Sequence, residues 1–273
     1  MSWELFSPYY NRFVKGSCDL KFHPLQQMPK PPDPIWIASF DIGKKNFAFC
    51  IEEVDRSKLV RQKKKLDLLG KNRYNPDGTP GVGMKKILKA VCHNGKIVLF
   101  KNSDLTMNCA AVYLDPETFH NMIDLLDSYR EYWDKCVAFV IEEQMSFRGK
   151  KNPMAVKLGQ HCYSYFCFLY GRHKQIIEFP SYHKTQVLGA AKIKGRATKN
   201  GFRYKAVDKP ARKKWSIAKA KEVLDARGEA ESFLDATSGT VVTLWGKGKK
   251  DDLADTWCQL QAFKFLTFVD QSL

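Results

Sequence analysis

Apolar residues fall into short runs separated by charged or turn-forming segments, and the spacing of these runs sets the elements to expect. PIWIASFD reads as a strand rich in Ile and aromatic side chains, preceded by the proline cluster MPKPPDP and closed by Asp41-Ile42-Gly43. NFAFCIEEV reads as a second strand, joined to the first through GKKN, a tight turn that suits a hairpin. GKIVLFKN is a third. A helix starts near Asp115-Pro116, with proline at an early helical position, and runs through ETFHNMIDLLDSYREYW. CVAFVIEE, a continuous apolar run, has the character of a central strand covered on both faces. The pattern continues with a long apolar helix in NPMAVKLGQHCYSYFCFLYGR, a fifth strand in KQIIEF, and a helix over about 211–227. After TSGTVVTLWG comes a last helix, over about 251–268. The order strand, strand, strand, helix, strand, helix, strand, helix argues for an α/β fold, a mixed sheet with helices packed on it.

Two strongly basic segments interrupt this pattern. Arg56 to Lys89 carries YNPDGTPGVG within it and reads as an insertion with a flexible tip; KIKGRATKNGFRYKAVDKPARKKW reads as a second insertion. The division to expect is an N-terminal arm or linker over 1–34 and one domain over 35–273, with insertions at about 56–90 and 192–215. No run of 18 apolar residues exists and the N-terminus has no apolar signal core, so no membrane span or membrane partner is expected. Composition then narrows the partner: 45 Lys plus Arg against 29 Asp plus Glu, a net charge of +16, favours nucleic acid over an anionic membrane surface. The 8 cysteines are scattered through apolar runs without a CxxC pair, which fits buried reduced thiols in an intracellular protein. His161 beside Cys162, with Cys167 following, lacks the second ligand pair that zinc needs.

Against that basic background, three acidic clusters each lie at the end of an apolar stretch: Asp41 in SFDIGKKNFAF, Glu142 and Glu143 in VIEEQMS, and Asp251, Asp252 and Asp255 in KGKKDDLADTW. A carboxylate at the end of a buried strand is costly unless a partner or a cation neutralises it. Adjacent strand residues face opposite ways, so one of Glu142 and Glu143 can join Asp41 and the other is solvated or paired with a base. Asp252 and Asp255, three apart, lie about 60° apart on one helical face. The plainer readings are a turn aspartate at Asp41 and a helix N-cap at Asp251 or Asp252; they account less well for Asp255, at the edge of the apolar face. Convergence of these acids would suit two divalent cations that activate a water and stabilise the leaving oxygen of a phosphodiester. An oxygen-only donor set suits Mg²⁺, with Mn²⁺ as its substitute, two ions per site.

SFDIGKKNFAF, VIEEQMS and KKDDLAD together resemble the three acidic motifs of RuvC-type Holliday junction resolvases, in particular the poxvirus and fungal mitochondrial branch. The resemblance spans roughly residues 35–268 and implies a ribonuclease H-like fold, a mixed five-stranded sheet flanked by helices. Carried over by motif, it implies that Asp41, Glu142, Asp252 and Asp255 are the metal ligands, and that a catalytic lysine lies between the glutamate and the last aspartates. Lys184, in FPSYHKTQVLG after the fifth strand, is the lysine expected in that role; its bland reading is a solvated loop lysine. The implied activity is metal-dependent resolution of four-way DNA junctions by symmetric phosphodiester hydrolysis, leaving a 5′-phosphate and a 3′-hydroxyl. The implied assembly is a homodimer, because a junction offers two equivalent strands.

Backbone contacts are expected from Lys44, Lys45, Lys63, Lys64, Lys65, Arg148, Lys150, Lys151, Arg196, Arg203, Lys213 and Lys214, which flank the motifs or lie in the basic insertions. Phe202, Tyr204 and Trp215 would either stack on exposed bases or anchor the insertion to the core. The compartment implied is intracellular: a cytoplasmic viral factory, the mitochondrial matrix or the bacterial cytoplasm. Three rivals remain open. An actin-like or sugar-kinase ATPase also opens on a D-x-G hairpin, but it needs two copies of this unit. A non-catalytic nucleic-acid-binding protein could share the fold, and a nuclease for flaps or RNA–DNA hybrids could share the site.

Overall fold

The computed structural model describes residues 33–70, 73–106, 115–144, 153–198, 201–229, 232–234, 241–243 and 250–270. Ile35–Asp41 forms β1 and Phe47–Val54 forms β2, paired antiparallel with Asp41 opposite Ala48. Glycine is required in the turn between them, since a Cβ on Gly43 would lie 2.7 Å from the Asn46 carbonyl oxygen. Lys96–Ser103 (β3) pairs antiparallel with β2, Cys136–Glu143 (β4) pairs parallel with the other edge of β1, and Gln175–Pro180 (β5) pairs parallel with β4. The order β3-β2-β1-β4-β5 is the ribonuclease H-like mixed five-stranded sheet that the motifs implied. β1 and β4 are its two parallel central strands, and they end at the same edge with Phe40 opposite Ile141. That register sets Asp41 beside Glu142.

Both faces of the sheet are covered. Pro116–Asp127 (α3), Arg130–Lys135 (α4) and Pro153–Tyr170 (α5) serve one face, where Phe40 packs against Trp133 and Phe166. The other face receives Lys250–Phe268 (α8), whose Thr256 carbonyl accepts a hydrogen bond from Ser39 Oγ at 3.0 Å. Alternation along β1 sends Phe40 one way and Ser39 and Asp41 the other, so Asp41 shares a face with α8. His183–Val187 (α6), the hairpin of Ile193–Thr198 (β6) and Gly201–Lys205 (β7), Lys209–Arg227 (α7), and the hairpin of Ser232–Leu234 (β8) and Val241–Thr243 (β9) complete the described elements. No helix among the described residues is long and apolar enough to cross a membrane.

Two departures from the pattern-based expectation concern the segments after β2 and after Asp115. The basic segment after β2 folds as two helices, Arg56–Asp67 (α1) and Val82–His93 (α2). Asp55 caps α1 by accepting from Lys58 N at 2.8 Å, and α2 buries Met84, Ile87, Leu88, Val91 and Cys92, a helical stripe masked in the sequence by lysines between its members. The helix expected through ETFHNMIDLLDSYREYW is split into α3 and α4 around Ser128 and Tyr129, and Trp133 Nε1 donates to the Leu126 carbonyl at 2.6 Å across the break.

Beneath α8 lies a buried charge network. Glu52 on β2 is 0% exposed. Its Oε1 accepts from Arg227 Nη1 at 2.8 Å and Trp257 Nε1 at 2.9 Å, and its Oε2 from Lys264 Nζ at 2.8 Å; Gln261 Nε2 donates to both oxygens at 3.0 Å. Burial alone would raise the Glu52 pKa, but Arg227 and Lys264 outweigh it and bring the group down to about 2. A carboxylate depressed in the folded state contributes stability that is fully present above its unfolded pKa, near 4.5, and is lost as pH falls from there toward 2. We expect wild type to lose on the order of 3 kcal/mol from this group across that window. Urea unfolding of Glu52→Gln at a series of pH values should lack that component; an unchanged acid limb in the variant would refute the assignment.

Candidate active site

Main-chain and side-chain hydrogen bonds set where α8 lies on the sheet. Gln259 Nε2 donates to Ser39 Oγ at 3.1 Å, to the Phe40 carbonyl at 3.1 Å and to the Val140 carbonyl at 3.0 Å, spanning the seam between β1 and β4. Asp255 is four residues earlier on the same helical face. It is thereby carried toward the strand ends that hold Asp41 and Glu142.

The three carboxylates and one lysine form a coupled cluster. Asp41 and Glu142 share a side-chain hydrogen bond. Burial, then the Glu142 charge, push the Asp41 pKa well above the usual carboxylate range. Lys184 Nζ lies 3.0 Å from Glu142 Oε1, with the lysine side chain 6% exposed and that of Glu142 14% exposed. Burial acts to raise the Glu142 pKa, but Lys184, the hydrogen bond with Asp41 and the charge of Lys209 together outweigh it and the group stays low. Burial also acts to lower the Lys184 pKa; Glu142, Asp41 and Asp255 overcome it, so the ammonium is retained. Asp255 is raised, chiefly by burial, with Lys184 acting to lower it. A second ammonium enters from α7: Lys213 bonds Asp251 and lies 3.6 Å from Asp252 Oδ1.

The five residues expected to carry chemistry are therefore accounted for individually. Asp41, Glu142, Lys184 and Asp255 form one cluster, and Asp252 stands on the adjoining turn of α8 beside Lys213. Between the two adjacent glutamates, Glu142 joins Asp41, while Glu143 is raised by burial and by the charge of Glu178. Lys184 lies on the short helix α6 and is only 5% exposed, rather than solvated in a loop.

Of the cations expected to touch DNA, Lys44 and Lys45 sit in the β1–β2 turn, Lys63, Lys64 and Lys65 on α1, Arg196 and Arg203 on the β6–β7 hairpin, and Lys214 on α7. Lys213 differs, being engaged with acids of the cluster. Arg148, Lys150 and Lys151 lie outside the described residues. Trp215 packs against the core, whereas Phe202 is 48% exposed beneath Lys194, whose Nζ is 3.6 Å from the ring centroid. Pattern reading missed Glu52, Arg227 and Lys264; a charged residue inside the apolar run FAFCIEEV was the available signal.

The donor set around Asp41 fits a hard divalent cation. It is made of carboxylate oxygens, and the Asp41 carboxyl, pushed well above the usual range by burial and by Glu142, is a group whose ionised form a bound cation would favour. In the geometry as it stands, the ammonium groups of Lys184 and Lys213 supply the positive charge, and among the described residues no three Asp, Glu, His or Cys side chains are gathered around one ion position.

No family model matches the chain. It is 32% identical over 255 residues to "Uncharacterized protein 170L" of Invertebrate iridescent virus 6, covering 86% of this chain and 90% of that one. Solved structures similar to it include the fowlpox virus Holliday junction resolvase, with a TM-score of 0.42, 14% identity and coverage of 84% of this chain and 98% of that chain. Another is the yeast mitochondrial Holliday junction resolvase Ydc2, with a TM-score of 0.45, 14% identity and coverage of 87% and 81%.

The cluster predicts opposite effects on stability when no divalent cation is present. Asp41→Asn removes a buried carboxyl whose raised pKa penalises the folded state above the ordinary carboxylate range, and should stabilise the protein at neutral pH by about 1–2 kcal/mol. Lys184→Met strands Glu142 and Asp41 and should cost about 3 kcal/mol. Thermal unfolding in EDTA reads both; destabilisation by Asp41→Asn would show that the carboxylates do not repel one another as described.

Proposed function

This chain belongs to the same family as protein 170L of Invertebrate iridescent virus 6, and we propose that it is a metal-dependent, structure-specific DNA endonuclease that resolves four-way junctions. The observation that carries the proposal is the meeting of Asp41 and Glu142, from two parallel central strands, with Lys184, within reach of the charge of Asp255 on α8. A structural ion pair needs one acid and one base. Here the buried pair Asp41 and Glu142 shares one lysine, with the charge of Asp255 acting on Asp41, Glu142 and Lys184, and this excess of acids over bases at the end of a sheet supports the reading of a cation site.

In this reading Asp41, Glu142, Asp252 and Asp255 would hold Mg²⁺ or Mn²⁺, which when bound supplies a more acidic water and neutralises charge on the leaving oxygen. The chain's own groups do the rest. The sheet edge fixes Asp41 and Glu142 in register, so their oxygens need no reorganisation as the reaction proceeds. Lys184 keeps its proton and is placed to offer it as a hydrogen bond to a phosphate oxygen, where charge builds as water attacks phosphorus and the P–O3′ bond breaks. The 3′ oxygen leaves as a hydroxyl and the phosphate stays on the 5′ end. The net charge of +16 supports a polyanionic substrate, and the exposed basic hairpin β6–β7 follows directly on α6, which bears Lys184. Two equivalent strands at a junction favour a homodimer, and α5, with Phe168 94% exposed, is the surface we propose for it.

Incubation of a synthetic four-way junction with wild type or Asp252→Asn, in Mg²⁺ and in EDTA and beside linear duplex and flap substrates, tests the proposal. Paired symmetric nicks that need both the cation and Asp252 are expected. Preferential cutting of flaps would reassign the substrate, and tight binding without cutting in Mg²⁺ or Mn²⁺ would leave a nucleic-acid-binding protein with this fold.

A further inference from the structure

At the other end of the sheet from the carboxylates, α1 and α2 enclose a cleft of about 580 Å³. Its lining is Lys58, Arg61, Gln62 and Lys65 from α1, with Ala90 and His93 from α2, and then Asn94 and Gly95. The α1 members fall at i, i+3, i+4 and i+7, which is one helical face. None of the eight lining residues is acidic. The acids nearby already have partners: Asp55 caps α1 and pairs with Lys58 at 3.0 Å, Glu222 pairs with Lys219 at 3.1 Å, and Glu52 is enclosed by Arg227 and Lys264. Burial first, then the charges of Lys89, Arg227 and Lys219, hold the His93 pKa below its usual value. Three cations of α1, Lys58, Arg61 and Lys65, therefore line this cleft.

The cleft is also held in shape. Asn94 Nδ2 donates to the Asp55 carbonyl at 2.7 Å and Asn94 Oδ1 accepts from Asp55 N at 3.2 Å, which joins the start of α1 to the end of α2. The Asn94 carbonyl accepts from Lys264 Nζ at 2.8 Å, and a Cβ on Gly95 would lie 2.5 Å from Glu52 Oε2. The back of the cleft is thus braced by the buried network beneath α8, unlike a loose spray of surface lysines.

We propose that this cleft is a second phosphate-binding site, one that grips a backbone phosphate of a nucleic-acid strand remote from the point of cutting. It rests on the reading of the chain as a nucleic-acid enzyme and adds a second anchor to it. β2 runs from Ala48, opposite Asp41, to Val54, just before α1, and about 3.3 Å per residue places the cleft about 20 Å along the sheet from the carboxylates. At about 3.4 Å per base step a duplex arm reaches it about six steps from the scissile phosphate. Lys63 and Lys64 are not among the lining residues, which divides the run Lys63-Lys64-Lys65: Lys65 belongs to the cleft.

The test measures the salt dependence of junction binding in EDTA on an Asp252→Asn background, so it does not depend on whether the protein cuts. Arg61→Gln/Lys65→Gln is compared with Lys85→Gln/Lys86→Gln, which removes the same charge from exposed positions on α2 outside the cleft. Fluorescence anisotropy uses labelled junctions with arms of about 15 or about 4 base pairs, longer and shorter than the span set by the base step. The cleft variant should make the log–log salt slope shallower by about 2 on long arms and leave it unchanged on short ones. Equal effects of the two variants, or an effect independent of arm length, would overturn the proposal. So would movement of the His93 resonances on adding inorganic phosphate together with an unaltered DNA slope, since that pattern marks a small-anion pocket.

Discussion

The position of α8 on the sheet is the constraint on which the rest of the molecule depends. A helix lying on an apolar sheet could slide or turn by a residue at modest cost, because hydrophobic contact is not directional. Two polar clamps remove that freedom. Gln259 reaches across the β1–β4 seam to three oxygens, and Gln261, Trp257 and Lys264 close on the buried Glu52 of β2. A slip by one position would leave these groups buried without partners, at about 1–3 kcal/mol each and more for the charges. Asp255 lies near enough for its charge to act on Asp41, and that of Glu142 on it, because the clamps allow α8 one position.

Glu52 and Asp41 show how neighbouring acids on the same sheet face come to serve different ends. Both are drawn out of water, and burial raises the pKa of each. Glu52 is met by an arginine, a lysine, a glutamine and an indole, so its charge is satisfied internally and it is brought down to about 2. Asp41 is met first by another carboxylate, with Lys184 shared between them, and its pKa stays high. The first arrangement is complete in itself and locks the fold. The second shares one lysine between two buried acids, and on that arrangement the proposed cation site rests.

The same network links the two ends of the sheet. Lys264 bonds both Glu52 and the Asn94 carbonyl, so the brace under α8 is also the back wall of the basic cleft between α1 and α2. The carboxylate cluster and the cleft are therefore mounted on one rigid support, with β2 as the spacer between them. Fixed separation of this kind suits a substrate that is itself a stiff rod of evenly spaced charges.

Much of this was legible in the chain. Period-two and continuous apolar runs marked the five strands, and their order implied a mixed sheet. Acids at the ends of PIWIASFD and CVAFVIEE stood out because buried strand ends do not tolerate charge without compensation. Local signals were weaker where charge masked periodicity: the stripe from Met84 to Cys92 was hidden among lysines, and the break at Ser128 depended on the Trp133 indole reaching back to Leu126. Which glutamate faces Asp41, that Lys184 is buried rather than solvated, and that Lys213 serves the acids of α8 were decided only in three dimensions. Strand identity is written in neighbouring residues, whereas these pairings join segments about 40 to 100 residues apart and exist only once the sheet register and the position of α8 are set.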